Sequence, residues 1–251
     1  MTQAGKVAVV TGAGQGLGRA LAIALSEAGF KVALLGRTLA KLEATAALCP
    51  GECLPLSCDL IDPDRVREAF ARIVARFGRV DVLVNNAASY AAFPLDGATD
   101  SQIIDVVHQS LVAPMFCARE AIARMRATGG DIVNISTQSV ISPQPLMIVY
   151  AAAKGGLEIF SRGLRNELRG ENIRVLTVQL GVVAGTVVDD LAEDVRERYG
   201  QALRNAGLDR AFVFPGSEPA DIAASVVHAV TAPRTTIIED IVIRGLDQGP
   251  A

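Results

Sequence analysis

Several things are missing from this sequence, and each absence removes a class of function. No apolar run approaches the roughly 20 residues that a membrane-crossing helix needs. There is no excess of positive charge. The 24 Lys and Arg are outweighed by 27 Asp and Glu, giving a net charge of −3 with both signs scattered along the chain. The basic stripe that a nucleic-acid backbone would require is therefore absent, and no nucleic-acid or membrane partner is expected. The four cysteines, Cys49, Cys53, Cys58 and Cys117, lack the paired two-residue spacing of zinc knuckles and have no neighbouring histidine. They read as ordinary small buried or loop residues, with no metal site. The opening apolar run, Val7 to Val10, is too short for a signal-peptide core and lacks a cleavage region, so it reads as part of the fold and the expected compartment is the cytoplasm. There is no internal repeat and no low-complexity tract.

Half of the residues are hydrophobic, enough to bury a sizeable core. Strand-like and helix-like segments alternate along the 251 residues. Strands are expected at 6–11, 31–35, 53–58, 80–85, 131–136, 173–180 and 237–243. Helices are expected at 17–28, 38–48, 63–77, 101–127, 149–169 and 218–230. The strands are apolar on both faces, the pattern of a parallel sheet covered on both sides. No linker interrupts the chain. The expectation is a single α/β domain over 1–251, a Rossmann-like doubly wound parallel sheet of about seven strands with helices on both faces. The stretch 182–217 is less regular and rich in charge.

The first strand runs into Thr11-Gly12-Ala13-Gly14-Gln15-Gly16-Leu17-Gly18, and a helix follows. Glycine permits the tight turn and lets a phosphate approach the backbone closely. The opening helix offers unpaired N–H groups and partial positive charge to a pyrophosphate. At the end of the second strand, a carboxylate would hold the ribose 2′-OH of NAD. This chain has Leu35-Gly36-Arg37 instead. A guanidinium there suits a 2′-phosphate, so NADP is the expected cofactor, with NAD as the alternative. Arg19, in the first turn of the helix, is a candidate assistant.

Tyr150 and Lys154 are four residues apart, on one face of a helix. A phenol ionises near pH 10 and is a poor base at neutrality. A nearby ammonium favours the phenolate, which predicts a lowered pKa and an acid/base suited to carbonyl and alcohol interconversion.

Together these motifs, in this order, resemble the short-chain dehydrogenase/reductase family, and the resemblance covers essentially the whole chain. The glycine turn is similar to that family's T-G-x-x-x-G-x-G. Asn85-Asn86-Ala87-Ala88 is similar to its N-N-A-G, with Ala88 in place of the last glycine. The resemblance implies cofactor contacts at Gly12, Gly14, Gln15, Gly16, Leu17, Gly18, Arg37, Asp59, Leu60, Asn86, Ala87, Tyr150, Lys154 and Val183. It also implies Tyr150, Lys154, Thr137 and Ser110 as the catalytic set. Thr137 takes the place of a family serine thirteen residues before the tyrosine, with Ser136 and Ser139 as alternative hydroxyls. Ser110, in Gln109-Ser110-Leu111, stands where the family has an asparagine that connects the lysine to solvent. His108 beside it reads as a helix-surface residue. Leu180-Gly181-Val182-Val183-Ala184-Gly185-Thr186 departs from the family's P-G-x-x-x-T, with leucine for proline and the threonine one residue late.

The implied activity is hydride transfer between NADP(H) and a small carbonyl or alcohol substrate. A substrate loop is expected at about 187–215, carrying Leu191, Tyr199, Leu203, Phe212 and Phe214, with Tyr90 and Phe93 as further pocket candidates. The ending Ile241-Val242-Ile243-Arg244-Gly245 is similar to carbonyl-reductase-type members. The long helices at 101–127 and 149–169 imply a homodimer or homotetramer. Two rival readings stay open. One is a dinucleotide-binding sensor or scaffold with little catalysis, suggested by the replacements at Ala88, Ser110, Thr137 and Leu180. The other is a sugar-nucleotide epimerase or dehydratase, which would need a longer C-terminal portion.

Overall fold

The computed structural model describes residues 3–185, 193–208 and 216–245. Thr186, Leu191, Phe212 and Phe214 lie outside them. Seven parallel strands form one sheet: β1 (Val7–Thr11), β2 (Lys31–Gly36), β3 (Cys53–Ser57), β4 (Val82–Asn85), β5 (Gly130–Thr137), β6 (Ile173–Leu180) and β7 (Asp240–Ile243). Their spatial order is β3-β2-β1-β4-β5-β6-β7. The order reverses between β1 and β4, and at such a switch point the chain leaves a crevice at the carboxyl ends of the strands.

The helices are α1 (Gly16–Glu27), α2 (Leu39–Ala46), α3 (Pro63–Phe77), α4 (Asp100–Val107), α5 (Ala113–Met125), α6 (Ile148–Glu167), α7 (Glu193–Asn205) and α8 (Pro219–Thr231). They cover both faces, and alternation along β1 shows why Val7 to Val10 are all apolar. Val7 and Val9 point into the core under α3 and α5, where Phe70, Ile73, Cys117 and Met125 are buried. Ala8 and Val10 point the other way, against Leu21 and Leu25 of α1 and Ile222 and Val226 of α8. A two-residue side-chain period with apolar residues at every position admits no solvated face.

The local signals act as their chemistry requires. The Asp62 carboxylate accepts from the backbone N–H groups of Asp64 and Arg65, Pro63 opens α3, and Gly78 closes it in the left-handed conformation. The helix expected over 101–127 runs without a break from Asp100 to Met125, with a π-turn at His108–Val112 inside it. Pro114, in the first turn of α5, has no N–H to continue the regular ladder and its ring crowds the preceding turn. The wider turn accommodates it. Among the described residues, no helix is long and apolar enough to cross a membrane.

Candidate active site

The glycine turn is built around two positions where a side chain cannot fit. Gly12 has φ +67° and an added Cβ would come within 3.0 Å of Asn86 Nδ2. A Cβ on Gly18 would collide with the carbonyl oxygen of Gly12 and lie 2.7 Å from Asn86 Nδ2. The first turn of α1 therefore rests directly on the backbone of the turn. The first-turn N–H groups have no partner inside the helix, and the Gln15 side chain does not cap them. Its Oε1 accepts from Lys41 Nζ instead, at 2.6 Å.

The ends of β1 and β4 are fastened together by the same residues. Thr11 Oγ1 accepts from the backbone N–H of Asn86 and of Ala87, each at 3.0 Å, and the Asn86 amide donates to the Thr11 carbonyl at 3.0 Å. This fixes the floor of the crevice. Behind it, the Asn85 amide donates to Asn134 Oδ1 at 2.9 Å, and Asn134 donates to Ser161 Oγ at 2.8 Å. These buried polar side chains join β4, β5 and α6 through side-chain bonds in addition to the sheet ladder.

A cleft of about 1020 Å³ opens over these strand ends. Its wall includes the glycines of the turn, Gln15 and Leu17, then Arg37 at the end of β2, and Asp59 and Leu60 after β3. Asn86, Ala87, Thr137, Tyr150, Lys154 and Val183 complete the set. Every residue expected as a cofactor contact lies on this one wall, and of the expected catalytic set only Ser110 does not. Ser110 is fully buried in the π-turn, where its hydroxyl donates to the Ser89 carbonyl and accepts from the Ser89 N–H, both at 3.3 Å. Its neighbour Gln109, which the sequence did not mark, reaches the cleft. The wider turn shifts which residues face inward, and no periodicity signal announces that shift. Gln138, Ser142, Gln144 and Arg244 also line the cleft and were not singled out as site residues.

Arg19 is not on the wall. It donates to the Gly14 carbonyl at 2.9 Å and to Thr45 Oγ1 at 3.3 Å, so it braces the turn against α2. Arg37, by contrast, is exposed, and the ion pairs and side-chain hydrogen bonds found among the described residues leave its guanidinium unengaged. Phe93 is buried away from the cleft, so its role is packing.

At the far end of the cleft, Lys154 is buried, with 1% exposure, and Nζ donates to the Ile135 carbonyl at 2.7 Å. Burial lowers its pKa to about 8. Nζ lies 5.9 Å from the centre of the Tyr150 ring. The expectation of a lowered phenol pKa is overturned. Burial, reinforced by the neighbouring Tyr90 phenol, pushes Tyr150 well up, and the Thr137 hydroxyl opposes this. Thr137 Oγ1 is held at 3.2 Å from both the hydroxyl and the backbone N–H of Ser139. Ser136 is engaged elsewhere, donating to Glu158 at 2.6 Å. No group of three or more metal-ligating side chains occurs among the described residues.

Comparison with known proteins agrees with this geometry. The family model for short chain dehydrogenases matches residues 6–196. Carbonyl reductase family member 4 of Danio rerio is 33% identical over 232 residues, covering 92% of this chain and 93% of that protein. Dehydrogenase/reductase SDR family member 11 of Gallus gallus is 32% identical over 259 residues, covering 97% of each. A metagenomic short-chain oxidoreductase solved in complex with NADP superposes with a TM-score of 0.79 at 29% identity, covering 97% of this chain and 98% of that one. The chain belongs to the short-chain dehydrogenase/reductase family and is an NAD(P)-dependent oxidoreductase.

Proposed function

We propose that this protein transfers hydride between NADP(H) and a small carbonyl or alcohol substrate, with Tyr150 as the acid/base group. The observation that carries this reading is the sharing of one cleft by the glycine turn, Arg37, Thr137, Tyr150 and Lys154. The turn suits a dinucleotide pyrophosphate, because side chains are excluded at Gly12 and Gly18 and the first-turn N–H groups of α1 are uncapped. Asp59, Leu60, Asn86 and Ala87 would flank the adenosine half, and Val183 would meet the nicotinamide half. Arg37 favours NADP over NAD by offering a bidentate partner to a 2′-phosphate. The NADP in the related metagenomic enzyme supports the same choice.

The bound cofactor supplies or accepts the hydride, and the protein orients and polarises the reactants. A phenol held protonated at neutral pH suits donation to a carbonyl oxygen as charge develops there. Thr137 offers a hydroxyl to the same oxygen. Lys154, mostly charged at neutral pH, supplies positive charge behind the phenol. Ser110 acts from behind the wall, where its hydroxyl fixes the Ser89 backbone between the cleft residues Ala88 and Tyr90. The stretch 187–215 selects the substrate, and a cytoplasmic homodimer or homotetramer is the proposed state.

Replacement of Tyr150 by phenylalanine tests the reading. NADPH binding should persist while oxidation of NADPH with a reducible carbonyl falls at least about 100-fold, the scale of a lost general acid. Unchanged turnover would refute the role. Tight NADPH binding by the unaltered protein, without turnover over a broad carbonyl and alcohol panel, would favour the sensor or scaffold reading.

A further inference from the structure

The chain has three tyrosines, Tyr90, Tyr150 and Tyr199, and no tryptophan. Tyr90 and Tyr150 line one end of the cleft and Tyr199 packs behind them, although they come from the loop after β4, from α6 and from α7. The Tyr90 and Tyr150 rings pack edge to face, with centres 5.3 Å apart and planes at 65°. The Tyr199 hydroxyl donates to Gln144 Oε1 in a short bond and is a hydrogen-bonding neighbour of the Tyr90 hydroxyl. Tyr199 and Leu203, one helical turn apart, are the two buried residues of α7. They pack with Met147, Leu146 and Leu208 in a small cluster separate from the two faces of the sheet. Leu146 has φ +64°. A branched residue keeps that conformation where its surroundings impose it, and here it lies between Gln144 and Met147, at the point where α7 docks.

We infer that Tyr90 and Tyr199 are positioning residues for Tyr150, so that docking of α7 through Tyr199 presses the Tyr90 ring against Tyr150 and fixes the phenol in its working orientation. The inference rests on Tyr150 being the acid/base group. It gives the stretch proposed to select the substrate a second role, since its helix also sets the proton donor. The physical basis is the sequence of contacts from α7 to Tyr150, in which an edge-to-face pair prefers one geometry. Each contact removes water from the next hydroxyl, and all three phenols are pushed up by burial.

Because no tryptophan is present, tyrosinate absorbance in an alkaline titration reads all three phenols without cofactor or substrate. In the unaltered protein none should ionise near the ordinary value of about 10. Tyr90→Leu should bring the Tyr150 titration down by about one pH unit or more, and Tyr90→Phe, which keeps the ring but removes the phenol, should bring it down by less. In NADPH-dependent carbonyl reduction, Tyr90→Leu and Tyr199→Ala should each lower kcat about tenfold with NADPH affinity unchanged. The double variant should be no slower than the slower single one, because both act through one contact chain. Tyr199→Phe preserves packing and removes the hydroxyl contacts, so it should move the pH profile of kcat in the same direction even if the alanine variant does not fold. An unmoved Tyr150 titration in Tyr90→Leu would overturn the inference, as would a change in KM alone or a multiplicative double variant. Failure of the acid/base reading would show separately, as undiminished turnover in Tyr150→Phe.

Discussion

Arg37 provides the sharpest quantitative test of the cofactor assignment. It stands at the carboxyl end of β2, exposed and on the cleft wall, where no carboxylate is present to receive a ribose 2′-OH. Lys41, the next cation along this wall, is occupied by Gln15. Removing the guanidinium by Arg37→Ala leaves the fold untouched, because the interaction of this residue with its surroundings is through its carbonyl, which accepts from Ser57 Oγ at 3.0 Å. A hydrogen bond to a charged group contributes about 1.5–3 kcal/mol, and about 1.4 kcal/mol is a factor of ten in affinity. NADPH affinity should therefore fall about 10- to 100-fold, nearer the lower figure because an exposed charge is screened. NADH affinity should change by less than about threefold, since NADH has no 2′-phosphate for the guanidinium to lose. Fluorescence titration of both cofactors, at low and at roughly 0.15 M ionic strength, measures this, and the NADPH effect should shrink at the higher salt. Equal weakening of both cofactors would refute the reasoning, as would no weakening of either.

Gly18→Ala should abolish binding of NADPH and NADH alike, because its Cβ meets the Gly12 carbonyl and the turn must open. The overpacking should also cost about 1–3 kcal/mol of stability, which titration of both cofactors and a urea midpoint would show together. Lys154→Met should stabilise the apoprotein near neutrality. With its pKa lowered to about 8 when folded and near 10.4 when unfolded, Lys154 binds fewer protons in the folded state across that interval. Its contribution to stability therefore rises with pH from about 8 to about 10. The advantage of the methionine variant, on the order of 3 kcal/mol below pH 8, should shrink across that window in denaturant midpoints. A constant difference would show that Lys154 is not desolvated as its burial indicates.

Much of this protein is written locally in its sequence. Val7, Ala8, Val9 and Val10 are apolar at every position, which a strand can satisfy only when covered on both faces, and so they announce a parallel sheet between helices. Thr11 to Gly18 announces a phosphate-sized turn, because glycine spacing, a preceding strand and a following helix are all short-range properties. The four-residue step from Tyr150 to Lys154 fixes a shared helix face. What sequence could not supply were the quantities set by three-dimensional neighbours. The phenol of Tyr150 is pushed up because desolvation and the neighbouring Tyr90 phenol outweigh the Thr137 hydroxyl, a balance that depends on distance and burial. Arg19 is drawn to Gly14 and Thr45, from α2, rather than into the cleft. Beside Pro114 the long helix widens into a π-turn, in which Ser110 is buried and Gln109 reaches the cleft. The meeting of Tyr90, Tyr150 and Tyr199, far apart in the chain, follows from how α7 packs beside α6 and the loop after β4. Periodicity and motif spacing determine which elements form and what chemistry they carry. Packing decides which side chains lose water and which of them touch, and desolvation and contact set their reactivity.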